Sequence, residues 1–274
     1  MLHWPSFPPL NYHGQLDPEF QAWLKNQEND VTVGDCEWYH TVQLRSGEVI
    51  EGAWDLRGGE REYLGQLDLG GQRVLELGPA TGYLTAWMEE SGANVVGFEA
   101  GYDVSVDLLP VAGRDMFREK AIIMKFVERV HHSWWYLQRD LGMNAKLAFG
   151  NIYHLPEDLG HFDTSVFGAI LLHLRDPWGA LSEAAARTTR HIIVTDVLED
   201  GLDPSVNAMR FATAGRDALT NWWIISPGTV VEMVQRLGFQ RTSVHFHTQS
   251  HHLGHAMNEP AVQMNMFTVV GSRS

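Results

Sequence analysis

Two acids and two glycines raise the first chemical question. In "VLELGPATGYLT", residues 74–85, Glu76 precedes Gly78 and Gly82, with Pro79, Ala80 and Thr81 inside the turn, and Glu99 and Ala100 end the next apolar run, "NVVGFEA". A glycine turn between a strand and a helix lets a ligand approach the backbone, and the start of the helix leaves N–H groups unpaired. An acid at the end of the following strand can accept hydrogen bonds from both hydroxyls of a ribose, as acids about 20 residues past such turns do in related folds. The spacing E-x-G-x-x-x-G is not the G-x-G-x-x-G that seats a pyrophosphate on a helix. A ribose without a pyrophosphate fits S-adenosylmethionine.

Methyl transfer from a sulfonium is an in-line displacement that needs positioning and exclusion of water, and for a hydroxyl or acidic C–H acceptor a base as well. His173, after the fourth core strand, is the first candidate base, and capping the loop before "RDP" is its structural alternative. His40 in "WYHT" is the second, provided the N-terminal segment folds over the cleft; docking of that segment by aromatic burial is the alternative. Tyr39, Trp54, Trp135, Trp222 and Trp223 can line an acceptor pocket. Arg57 can grip a carboxylate or phosphate in fork geometry, or pair with an acid of the core. The expected acceptor is a small molecule of anionic or aromatic character. His245 and His247 in "HFHTQSHHLGH" share a strand face, with His251, His252 and His255 expected in the following loop. Without cysteines or an H-E-x-x-H order, this segment reads as a surface cluster and no metal is expected.

These residues need a scaffold. Apolar strands at 73–78, 94–100, 145–151, 164–171 and 191–197 alternate with amphipathic helices, which predicts a parallel sheet covered on both faces. Two further strands at 241–248 and 262–271 follow with no helix between them and predict an antiparallel hairpin. The fold class is therefore α/β, a doubly wound Rossmann-like sheet of seven strands. Helix starts are marked at Asp176–Pro177, at Ser226 and, upstream, at Asp17–Pro18, while Leu84, Trp87 and Met88 form a buried helix face. "WYHTVQLRSGEVIEGAWDLR" alternates around the turn "RSGE" and predicts a small hairpin leading to Trp54. Residues 1–70 read as an extension capping the cleft, with "HWPSFPPLNYHG" as an extended arm, and 71–274 as the core. Residues 112–143 exceed a simple crossover helix and read as a lid insertion.

Composition excludes several classes. A formal charge of −14, from 34 acids against 20 Lys and Arg, disfavours nucleic acid as a partner. No apolar run reaches the roughly 18 residues of a membrane span. Cys36 is the single cysteine, so no intramolecular disulfide forms, and the chain reads as cytoplasmic. A homo-oligomer stays open.

The runs "VLELGPATGYLT", "GNIYHLP" and "FDTSVFGAILLHLRDPWGAL", together with Glu99, resemble the successive motifs of class I S-adenosylmethionine-dependent methyltransferases over residues 71–274. The upstream "EWYHTVQLRSGEVIEGAWDLRG" further resembles the group related to the tRNA wobble-uridine carboxymethyl-transferring enzyme. The resemblance implies that Gly78, Pro79, Ala80, Thr81 and Gly82 line the methionine part of the cofactor and that Glu76 orients the turn or reaches the amino group. It implies further that Glu99 holds the ribose, that Asn151, Ile152 and Tyr153 meet the adenine, and that Phe167, Gly168 and Ala169 lie beside the reactive methyl. The expected function is methyl transfer to oxygen, nitrogen or carbon of a small molecule in specialised metabolism; the alternative is a tRNA-modifying methyl or carboxymethyl transferase, which the charge disfavours.

Overall fold

A computed structural model of the chain describes residues 31–101, 106–211, 219–252 and 260–273. The expected N-terminal arm and the helix start at Asp17 lie outside the described residues.

The five apolar runs of the core become β4 (Arg73–Leu77), β5 (Asn94–Ala100), β6 (Lys146–Gly150), β7 (Phe162–Gly168) and β8 (Thr188–Val197), all paired in parallel. β11 (Arg241–His251) and β12 (Val262–Ser272) form the antiparallel hairpin, and β12 pairs with β8. The seven strands match the expectation. An eighth comes from the extension: β3 (Trp54–Asp55) pairs with β11, giving the order β3-β11-β12-β8-β7-β4-β5-β6. The predicted hairpin is present as β1 (Val42–Gln43) against β2 (Val49–Ile50).

The central strands are apolar on both sides because helices cover both faces. On one face α2 (Tyr83–Glu90) and α3 (Met116–Leu141) bury Leu84, Met88 and Trp134; on the other, α4 (Pro177–Arg187) and α5 (Pro227–Arg236) bury Leu181, Ala184, Val230 and Val234. Trp87 is only half-buried, since Leu84, Thr85 and Met88 take the sheet-facing stripe of α2. Asp176 and Ser226 cap α4 and α5 as expected, accepting from Gly179 N–H and Thr229 N–H.

Two regions depart from the reading. The segment 112–143 is one continuous helix, capped by Asp115 and closed by left-handed Gly142, whose C-terminal half is core. Its first turns stand in solvent, with Phe117 86% exposed. Between β8 and α5 the chain adds a small antiparallel pair, β9 (Met209–Phe211) with β10 (Trp223–Ile225), which no sequence pattern announced.

From β4 the chain winds through β5 to β6, and from β7 the other way to β8. Strand order thus reverses between β4 and β7, and the carboxyl ends there form the crevice in which open α/β sheets place ligands.

Candidate active site

The glycine turn is held in a conformation that few side chains tolerate. Gly78 and Gly82 have φ of 74° and 81°, and Ala80, not a glycine, has φ of 50°. A left-handed alanine costs roughly 1–2 kcal/mol. Two bonds to β5 offset it: Gly78 N–H donates to Phe98 O at 2.9 Å, and Ala80 N–H donates to Glu99 Oε1 at 3.0 Å. A Cβ at Gly78 would lie 2.6 Å from Ile170 Cδ1. α2 starts at Gly82 with no side-chain cap, so no side chain answers its first N–H groups.

Glu76 lies beneath this turn, buried, with Oε2 accepting from Thr85 Oγ1 at 2.5 Å. Burial, and less strongly the nearby Glu99 charge, push its pKa up to about 7 against the lowering effect of the Thr85 bond. A folded-state pKa above the unfolded value means that stability is lost as pH rises through it. Thermal melting of the ligand-free protein is therefore expected to show a midpoint that declines between pH 5 and 8, and Glu76→Gln is expected to flatten that decline.

Glu99 also faces α3, where His131 Nε2 lies 3.6 Å from Oε2, and Ala100 N–H reaches the same oxygen at 3.3 Å. Asn151 follows β6 and its Oδ1 accepts from Tyr153 N–H at 2.9 Å, which fixes the turn bearing Ile152. The Tyr153 hydroxyl is bonded to Asp107, which also accepts from Arg175 N–H at 2.8 Å. Glycine turn, Glu99 and Asn151 thus stand at adjacent carboxyl ends of β4, β5 and β6. The set offers backbone for an amino-acid tail, a carboxylate for vicinal hydroxyls and an amide for a base edge. These residues fit S-adenosylmethionine.

The other predicted residues divide. Phe167 is 0% exposed and its side chain is core, so only Gly168 and Ala169 reach the crevice at this strand end. A Cβ at Gly168 would lie 3.2 Å from the Tyr63 ring, and Ala169, with φ of 50°, donates its N–H to Thr195 O at 2.7 Å. His173 sits in a short 3-10 turn; its Nδ1–H donates to Thr220 O at 3.0 Å, a bond to a distant segment and not a cap on the loop before "RDP". Burial lowers its pKa. His40 Nδ1 is 2.9 Å from Thr81 Oγ1, so "WYHT" does cross the glycine turn, and burial lowers this imidazole to about 4.

The strap 36–57 runs from α3 to the far sheet edge. Ser133 Oγ donates to Glu37 O at 2.6 Å, Trp54 N–H to Tyr39 O at 2.9 Å, and the Trp54 ring lies against His251, tilted by 44° with centroids 4.2 Å apart. Arg57 forms its fork with Asp55, at 2.8 and 2.7 Å, an acid of the strap itself and not of the core. Trp135 is core, packed edge-on to Trp134 at 4.9 Å. Trp222 and Trp223 are half-buried and spend their indole N–H groups on Asp107 O and Arg175 O, latching residues 219–225 over the end of β7. A groove of about 380 Å³, lined by Val42, Arg57, Glu60, Tyr83 and Trp87, opens on the face of α2 turned away from the sheet and is separate from this crevice.

A family profile described as a methyltransferase domain matches residues 55–244, more than half of the chain. The chain belongs to that family. It is an S-adenosylmethionine-dependent methyltransferase. The N-terminal domain of EvdMO1, solved with S-adenosylhomocysteine, has a TM-score of 0.52 at 18% identity over 93% of this chain and 96% of that one, which agrees with the fold. Magnesium protoporphyrin IX methyltransferase from Synechocystis PCC 6803 gives 0.45 at 14% identity, over 80% of this chain and 78% of that one. The 1,6-didemethyltoxoflavin-N1-methyltransferase from Burkholderia thailandensis gives 0.48 at 13%, over 80% and 78%. Comparison with curated proteins by sequence gives no match.

In this methyltransferase the sequence reading passed over three side chains that the fold brings to the crevice. Asp196 ends β8, Tyr63 from α1 (Glu60–Tyr63) lies against Gly168, and His131 faces Glu99. Asp196 carries the same signal as Glu99, an acid closing an apolar strand. His131 shares the buried helical stripe of Trp134 and Trp135. The histidine segment is corrected at one point: β11 runs to His251, which is a strand residue on the face of His245 and His247, not part of the following loop. His255 lies outside the described residues. His245 and His247 bond to Ser243 and Thr268, and among the described residues no cluster of three or more ligating side chains forms. Nor is any described helix long and apolar enough to cross a membrane.

Proposed function

We propose that this methyltransferase methylates a small-molecule acceptor enclosed between the β7–β8 strand ends and the N-terminal strap, with the donor held over β4, β5 and β6. The observation that carries the reading is the brace from Glu99 to Ala80, which sets a carboxylate and a strained glycine turn around one crevice. When bound, S-adenosylmethionine supplies an electrophilic methyl group on a sulfonium.

The remaining work falls to the chain's own residues. Glu99 accepts from the ribose hydroxyls, Asn151 meets the base edge, and Gly78, Pro79, Ala80, Thr81 and Gly82 present backbone to the amino-acid tail. The strap excludes water from the crevice through His40 on Thr81. His40 is a positioning residue: burial keeps its imidazole neutral at pH 7 and its Nδ1 is engaged. The described part of the 1–70 extension, residues 31–70, then acts as the cap, and the exposed first turns of α3, within 112–143, as the outer lip of the entrance. Trp54, Tyr39, Trp222 and Trp223 form the aromatic walls.

A tRNA acceptor finds less support. The formal charge is −14, and arginines beside the strap are committed, Arg57 to Asp55 and Arg129 to Glu37 and the Cys36 carbonyl.

Calorimetric titration with S-adenosylmethionine tests the reading. The wild-type protein is expected to bind, and Glu99→Gln to bind about 10–100-fold more weakly, the loss of a charge-assisted hydrogen bond. Equal affinity in the two proteins would remove Glu99 from the site.

A further inference from the structure

The residues that suit the donor occupy the ends of β4, β5 and β6. Asp196 ends β8, on the other side of the point where strand order reverses. Its side chain is 4% exposed. Oδ1 accepts from Val197 N–H at 2.8 Å, while Oδ2 is buried with no hydrogen-bond partner. No ion pair reaches it among the described residues. A carboxylate taken out of water with one oxygen unanswered is costly, and in a crevice such a group points to a ligand that answers it.

The groups within electrostatic range of Asp196 define that ligand. Tyr39 from the strap and Tyr63 from α1 are close enough for the Asp196 charge to oppose their ionisation. The Val197 bond and the nearby Leu172 amide, which makes no hydrogen bond of normal geometry to the carboxylate, favour its charged form, but burial outweighs them and carries its pKa up to about 7. Tyr63 lies against Gly168, so the cluster stands at the end of β7, where the transferred methyl is expected. Two neutral phenols and one carboxylate without a cation suit an uncharged partner that donates a hydrogen bond. An anionic acceptor would meet like charge here, and the fork of Arg57 is already filled by Asp55.

We propose that Asp196 binds the hydroxyl of an uncharged, hydroxyl-bearing acceptor through Oδ2 and takes its proton during methyl transfer. This rests on the methyl-transfer reading above. As the acceptor oxygen attacks the methyl carbon, the new C–O bond forms and the S–C bond breaks with its electron pair on sulfur. The hydroxyl proton moves to Oδ2. The products are a methyl ether, S-adenosylhomocysteine and a protonated Asp196, which returns its proton to water when the crevice opens.

Three readouts on wild type, Asp196→Asn and Asp196→Ala test the assignment. In ligand-free thermal melts, the wild type is expected to lose stability relative to Asp196→Asn as pH rises from 5 to 8, because a raised folded-state pKa removes stability through that window. Parallel curves for the two proteins would overturn a buried, unpartnered carboxylate. S-Adenosylmethionine affinity is expected to stay within about threefold in both variants, since no donor hydrogen bond is lost. A loss of tenfold or more in Asp196→Asn would put Asp196 on the donor side and overturn its role, whereas failure of the wild type to bind would sink the methyl-transfer reading itself.

The third readout is transfer of tritiated methyl to a small-molecule extract of the producing cells, passed over an anion exchanger. Label is expected in the unretained, uncharged fraction and is expected to fall about 10²–10⁴-fold with Asp196→Asn, the range for loss of a positioned base. No label in that fraction, or label there that survives the substitution, overturns the proposal.

Discussion

Gly52→Ala is expected to cut methyl transfer at least about 100-fold while leaving the sheet folded, the scale of a 1 Å displacement of reacting groups. A Cβ at residue 52 would lie 2.2 Å from His40 C, 2.5 Å from His40 O and 2.6 Å from Thr41 N. These are backbone atoms and cannot swing aside. The two arms of the strap must separate, which breaks the bond from Gly52 N–H to Thr41 Oγ1 at 3.0 Å and the bond from Thr41 N–H to Trp54 O at 2.7 Å. His40 then leaves Thr81, and Tyr39 leaves the acceptor side of the crevice. The strap joins the sheet by β3 on the edge strand β11, with Leu56 and Trp54 packed on the core, so the hydrogen bonds of the five parallel strands do not run through it. Circular dichroism that keeps its native form, with methyl transfer lost, is the expected pair of results; full activity would mean that the strap takes no part in catalysis.

Gly82→Ala acts on the fold instead. Here φ is 81°, and a Cβ would stand 2.6 Å from Trp134 Cδ1 and 2.9 Å from its Nε1. The Trp134 ring is fully buried, edge-on to Trp135, with its N–H directed at Thr85 Oγ1 at 3.4 Å, so it has nowhere to retreat. A left-handed non-glycine costs roughly 1–2 kcal/mol and overpacking about 1–3 more, together about 2–5 kcal/mol. Against a typical total of about 5–15 kcal/mol, this is a large fraction. A melting midpoint lowered by roughly 10 °C is expected at 2–4 °C per kcal/mol for a chain of this size. An unchanged midpoint would show that α3 does not press on the turn as described. Thr85 also holds Glu76, so displacement of Trp134 reaches the buried acid beneath the turn.

The sheet was legible because its signals are local. Apolar runs of strand length, caps at Asp176 and Ser226, and the absence of a helix between the last two strands each follow from the chain within a few residues. The left-handed turn at Gly78 and Gly82 and the place of Glu99 near the end of β5 were legible for the same reason. The eighth strand was not, since Trp54–Asp55 is short and becomes a strand only because β11 presents an edge to it. The core placement of Trp135 and Phe167 depends on which side of a helix or strand meets the sheet, and an aromatic residue serves a core and a pocket wall equally well. Asp196 could have been found from its position at the end of "HIIVTDV", but what marks it out is a missing partner, a tertiary property.

Co-crystallisation with S-adenosylhomocysteine tests the central claim most directly. Density is expected to show both ribose hydroxyls within hydrogen-bond distance of Glu99, the adenine against Asn151 and Ile152, and the sulfur at the Gly168 end of the crevice, toward Asp196. A nucleoside bound elsewhere, for instance in the groove beside Tyr83, or a sulfur turned away from β7 and β8, would contradict the account.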